Sequence, residues 1–151
     1  MKLAEALQER ADLNRKIEEL RGRLANAALV QEGEEPPEDP EGLLRELDGA
    51  IVRLESLMAA INLTNCRTRV GGRTLTQLIA RKDTVALRLG AYRDLAHTAS
   101  QSTSRARGTE IRVRPTLKSA ELQKEADRMA RELRELDNLL QETNWKTRLM
   151  E

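Results

Sequence analysis

The sequence predicts an all-α protein: an antiparallel up-down-up-down four-helix bundle of two repeated helical hairpins, with residues 1–151 forming a single helical domain. Three observations carry that expectation. Four segments place apolar residues at alternating intervals of three and four, the spacing of one helix face. Charged residues make up 34% of the chain, aromatics only 1%, and Phe is absent; that is the composition of long helices, because a β-rich domain asks for more Val, Ile, Tyr and Phe. The third is self-similarity over a long interval.

The first seam reads Leu3, Ala6, Arg10, Leu13, Ile17, Leu20, Leu24. The second reads Leu44, Leu47, Ile51, Leu54, Met58, Ile61, Asn65, widened by Leu43, Ala50 and Leu57. Asp39-Pro40 starts this helix with an N-cap acceptor and a proline whose missing N–H has no partner there anyway, and Gly71-Gly72 marks a stop and a tight turn. The third seam runs Leu75, Leu78, Lys82, Val85, Leu89, Tyr92, Ala96, and Thr74 to Gln77 fits a capping box. The fourth runs Leu122, Ala126, Met129, Leu133, Leu136, Leu140, Thr143, with Ser119 or Thr116 as cap. Each helix spans roughly 35–40 Å at 1.5 Å per residue.

The two long connections have opposite character. Residues 31–42 hold six acids, no base and three prolines. Residues 97–118 are rich in Ser, Thr and Arg, with Arg105, Arg107, Arg112, Arg114 and Lys118 against Glu110. A short strand-like alternation lies near 109–114. In an up-down-up-down bundle both loops fall at one end, so an acidic and a basic loop become neighbours within a subunit or between subunits.

Thr64-Asn65-Cys66-Arg67-Thr68-Arg69-Val70 matches Thr143-Asn144-Trp145-Lys146-Thr147-Arg148-Leu149 at an offset of 79. Leu43, Leu54, Leu57 and Ile61 then fall on Leu122, Leu133, Leu136 and Leu140. At an offset of 72, Leu3, Arg10, Leu13 and Ile17 fall on Leu75, Lys82, Val85 and Leu89. The chain therefore reads as a pseudo-repeat of 1–70 and 73–149. Arg10 and Lys82 are cations at seam positions that normally hold an apolar residue. With Asn65, Asn144, Thr64 and Thr143 they form a candidate polar cluster, which would bind a small anion or nucleotide or fix the pairing of subunits. The plainer reading is that the cations lie along the rim and the Asn residues cap helix ends.

Several chemistries find little support. The net charge is +1, so no global field draws the chain to nucleic acid or anionic lipid, and the Arg-rich loop has no aromatic side chain on which a base could stack. His97 and Cys66 are the chain's single His and single Cys, far apart, and inward Glu-x-x-His pairs are absent, which argues against a metal or other cofactor. No nucleophile elbow or phosphate loop is present, so the leaning is away from an enzyme. One cysteine and no run of about 18 apolar residues point to the cytoplasm and to no membrane span. Leu87, Gly90 and Ala91 lie off the third seam, and small residues there would admit a neighbouring helix. They form a candidate assembly face, and the expected behaviour is a non-catalytic, self-associating homo-oligomer that acts in assembly or partner binding.

The stretches MKLAEALQERADLNRKIEEL, VQEGEEPPEDP, INLTNCRTRV, GRTLTQLIARKD and LQKEADRMARELRELDNLLQETNW span the chain nearly end to end. On them the chain resembles a small, chiefly actinobacterial family of helical proteins, some members of which bear the name septicolysin. The resemblance implies an all-helical fold and assigns no residue a role. The label implies a membrane-active lysin, for which these residues offer no amphipathic β-hairpin.

Overall fold

A computed structural model describes residues 1–101 and 111–151. Four helices carry three-quarters of the described residues: α1 (Leu3–Ala27), α2 (Pro40–Arg67), α3 (Leu75–Ala99) and α4 (Ser119–Lys146). Between α2 and α3 lie two short antiparallel strands, β1 (Arg69–Val70) and β2 (Arg73–Thr74). The all-α class is as the sequence predicts. The chain divides into two compact units, residues 1–74 with 143–151, and residues 75–142.

In the first unit α1 begins where the Glu5 carboxylate accepts a hydrogen bond from the Lys2 backbone N–H at 2.6 Å, satisfying one of the donors a helix start leaves free. The α2 start follows the expected Asp39-Pro40 design: the Asp39 carboxylate accepts from the N–H groups of Glu41 and Gly42 at 3.2 and 3.1 Å. A Cβ on Gly42 would meet that carboxylate at 2.7 Å, so the cap needs glycine there. Leu20, Ala27 and Leu43 are buried together, with Leu24 and Leu47 packed on them. Three ion pairs run down one flank of this antiparallel hairpin: Glu9 with Arg53, Lys16 with Glu46 at 2.8 Å, and Arg23 with Glu38.

The second unit pairs α3 with α4 around buried Val85, Leu89, Ala126 and Met129, with Tyr92, Ala130, Leu133 and Leu136 against them. Arg81 reaches Glu132 and Lys82 reaches Asp137, each at 2.6 Å. The α4 start differs from expectation. Ser119 is the first helical residue, and its hydroxyl donates to the Ala96 carbonyl at 2.9 Å, tying α4 to the end of α3 instead of capping its own helix.

Two further readings are corrected. On α2 the buried residues are Leu43, Ala50, Leu57, Ile61 and Thr64, while Leu44, Ile51 and Met58 are 50%, 45% and 45% exposed. The residues expected only to widen the seam are its centre, because α1 packs one step round the helix from the predicted face. α2 already ends at Arg67 with Thr68 as its C-cap, and Gly71 and Gly72, with φ of 57° and 82°, instead close the β-hairpin that follows; positive φ at both central residues is the twist a two-residue hairpin needs. Of the strand-like segment near 109–114, Thr109 and Glu110 lie outside the described residues. Residues 111–114 are exposed, with one isolated bridge position at Arg112.

The two hairpins coincide element for element. α1 and α3 are each 25 residues long and begin 72 positions apart; α2 and α4 are each 28 long and begin 79 apart. In β1–β2, Arg69 pairs with Thr74 and Val70 with Arg73. At the same offsets Arg148 bridges Lys2, and the Leu149 N–H donates to the Met1 carbonyl at 3.0 Å. A backbone bond from Leu3 N–H to the Thr147 carbonyl at 2.9 Å completes that second junction.

Candidate functional site

The polar residues singled out by the sequence do not share one fate. Arg10, Thr64, Asn65, Thr143 and Asn144 belong to the first unit, and Lys82 to the second. Thr64 is fully buried. Its hydroxyl donates to the Ala60 carbonyl at 2.8 Å and accepts from the Met150 N–H at 2.9 Å, so it serves the fold by holding the C-terminal segment against α2. Asn65 and Asn144 are half-buried and sit within the last helical turns. The C-cap of α2 is Thr68, whose N–H donates to the Thr64 carbonyl, and Thr147 N–H reaches the Thr143 carbonyl in the same way.

The two seam cations differ. The Lys82 ammonium is held by the Asp137 carboxylate at 2.6 Å, and that hydrogen bond and charge hold the Asp137 carboxyl below its ordinary value. Arg10 is half-buried and has no hydrogen bond or ion pair among the described residues. The offsets explain the contrast. Lys82 stands where Arg10 does, but the position of Asp137 is occupied in the first hairpin by Met58.

The candidate assembly face on α3 is open. Leu87 is 76% exposed, Gly90 and Ala91 are exposed, and a Cβ added at Gly90 would meet nothing within 4 Å. The apolar stripe of Leu44, Ile51 and Met58 on α2 was hidden in sequence, because a heptad can be read on either of two adjacent faces. Its signal was the surplus itself: α2 carries two apolar residues where one per turn fills the seam.

A groove of about 630 Å³ in the first unit is lined by Leu57, Ala60, Leu63, Leu149 and Met1, with Arg53 on its rim. The Arg53 guanidinium is already engaged by Glu9 through two bonds of 2.6 and 2.9 Å. Glu9, Glu38 and Glu46 are all held below their ordinary value by hydrogen bonds from Arg53, Arg23 and Lys16. Among the described residues no three His, Cys, Asp or Glu side chains converge on a point that could hold a metal ion. No described helix is long and apolar enough to cross a membrane. Cys66 is exposed and forms no disulfide. Trp145 is half-exposed at the end of α4, whereas Tyr92 joins the core of the second hairpin.

Comparison with known proteins supports the fold and leaves the activity open. No curated protein matches the chain. A crystal structure of a functionally unknown conserved protein from Corynebacterium diphtheriae superposes with a TM-score of 0.92 at 37% identity, covering 99% of both chains. The profile of a family of unknown function, DUF6847, matches residues 10–149. The chain belongs to that family.

Proposed function

We propose that this protein is a non-catalytic, self-associating helical component that acts in assembly or partner binding. What supports the reading is apolar helix surface that neither hairpin uses for itself. Leu44, Ile51 and Met58 on α2 and Ile79 and Leu87 on α3 are 37–76% exposed. At the corresponding positions of the sister helices stand Gln123, Ala130, Asp137, Leu7 and Arg15. Gln123, Asp137 and Arg15 are polar where Leu44, Met58 and Leu87 are apolar, whereas Ala130 and Leu7 stay apolar, so the fold itself does not demand an apolar residue at Leu44, Met58 or Leu87. Full burial of a Leu, Ile or Met stabilises by about 1.5–3 kcal/mol, so the α2 stripe alone leaves on the order of 3 kcal/mol unrealised per copy.

The offsets that relate the two hairpins support an internal duplication, which would make the α2 and α3 faces later departures from a common pattern. The cytoplasm is the location this reading assumes, on the single cysteine and the charged helices. Binding of a small anion or nucleotide at Arg10 and Lys82 has weaker support, since Asp137 already occupies Lys82. The lytic activity implied by the septicolysin resemblance is not part of the proposal, because the helices keep heavily charged outer faces.

Sedimentation equilibrium at tens of micromolar tests it. A mass that is a multiple of 17.1 kDa is expected, and a monomer throughout would end the reading.

A further inference from the structure

The two flanks of the first hairpin are built differently. On one, Glu9, Lys16 and Arg23 recur every seven residues along α1, and each meets a charge of opposite sign on α2 or just before it. On the other, Leu44, Ile51 and Met58 recur every seven residues along α2, each about half exposed. No ion pair between α1 and α2 crosses this flank among the described residues. Seven-residue spacing of apolar side chains is the pattern that receives a partner helix, whose knobs fit between successive turns.

The second hairpin shows what this flank lacks. There the seam cation Lys82 is neutralised within the hairpin by Asp137. In the first hairpin the seam cation is Arg10, and Met58 replaces the acid. That one exchange both lengthens the apolar stripe and leaves a half-buried guanidinium without a counter-charge. A partly desolvated cation is costly unless paired. Acids are nevertheless close to the stripe: Asp48 and Glu55 are exposed beside Ile51 on α2 and make no ion pair among the described residues. The flank thus carries an unpaired cation on α1 and unpaired acids on α2. Such a surface is complementary to itself under two-fold rotation, where residue i of one copy meets j of the other and j meets i.

We propose that this flank is the docking surface for a second copy of the chain, with Leu44, Ile51 and Met58 buried in the interface and Arg10 of each copy paired to Asp48 or Glu55 of the other. The proposal rests on the self-association reading and names its surface. A foreign helix would need the apolar stripe but not the charge pattern, which is the feature that singles out a second copy.

The test uses the full chain in four forms, with sedimentation for mass and circular dichroism with denaturant midpoints for fold. Met58→Asp restores in the first hairpin the acid that the second already has; it should leave helix content and midpoint intact while weakening self-association about tenfold or more. Arg10→Glu should weaken it similarly, and Arg10→Glu with Asp48→Arg and Glu55→Arg should bring it back to within about threefold of wild type. If the wild type assembles but Met58→Asp and Arg10→Glu leave the mass unchanged, this surface is wrong and assembly proceeds elsewhere. If Arg10→Glu dissociates the assembly and the charge swap fails to rescue it, the pairing with a second copy is wrong. A wild type that is monomeric overturns the proposal together with the reading on which it rests.

Discussion

The Met150 backbone N–H donates to the buried hydroxyl of Thr64 at 2.9 Å, across 86 positions of sequence. Through it the segment that pairs with Met1–Leu3 is anchored to the last turn of α2. A hydroxyl that accepts from a distant backbone donor in a dry site is expensive to remove, because the donor is left unpaired.

Thr64→Val should therefore lower stability by about 1–3 kcal/mol. Thr68 offers the opposite case four residues on: its hydroxyl is buried with no partner among the described residues. Thr68→Val should be neutral or stabilising by up to about 1 kcal/mol. Urea midpoints of the two variants check both signs, and equal destabilisation would contradict the assignment of the two hydroxyls.

Gly90 lies inside α3 with open space around it and no positive φ. Glycine in a helix interior costs about 0.8–1 kcal/mol relative to alanine. Gly90→Ala should raise the thermal midpoint without changing helix content. A loss of stability would mean that something packs closely against this position in solution, as an α3 assembly face would.

Acid should weaken both hairpins, the first through three carboxylates and the second through one. Glu9, Glu38 and Glu46 are held below the ordinary 4.5 by their cationic partners, and Asp137 below 3.8 by Lys82. The unfolded chain then takes up protons first on lowering the pH, so stability is fully present above the ordinary values and is lost as pH falls through the depressed ones. Denaturant midpoints should be flat near neutrality and fall below about pH 4.5. A Glu9→Gln, Glu38→Gln, Glu46→Gln variant should show a shallower fall; an unchanged profile would show that these pairs contribute nothing.

The junction of Met1–Leu3 with Thr147–Leu149 repeats the geometry of β1–β2, and Met150 and Glu151 stand where Gly71 and Gly72 stand. If the halves are equivalent, the chain can be opened between Gly71 and Gly72 and closed by joining residue 151 to residue 1, with Met150 and Glu151 changed to Gly. That permutant should fold with wild-type helix content and cooperative unfolding. An unfolded or non-cooperative product would show that the two junctions are not interchangeable.

How much of this the sequence disclosed follows from the range of the forces involved. The helices, the Asp39 cap and the matching ends of α2 and α4 rest on local spacing, and each is visible in a short window of residues. The seam of α2 was displaced by one position because Leu43 and Leu44, Ala50 and Ile51, and Leu57 and Met58 are adjacent apolar pairs. Periodicity alone gives either member an equal claim, and only the packing of α1 decides. The contrast between Arg10 and Lys82 was likewise half visible. Both cations stood out, but Asp137 is 55 residues from Lys82, and no local pattern announces that pairing or its replacement by Met58.

Self-association through the open flank of α2 would bury Leu44, Ile51 and Met58. The direct measurement is methyl NMR of Ile51 and Met58 with a soluble paramagnetic agent, recorded at high and at low protein concentration. If a second copy covers the stripe, both methyl groups are shielded at high concentration and become bleached on dilution, while the Ile61 methyl, buried within the hairpin, stays shielded throughout. If Ile51 and Met58 are bleached equally at every concentration, no second copy covers this face.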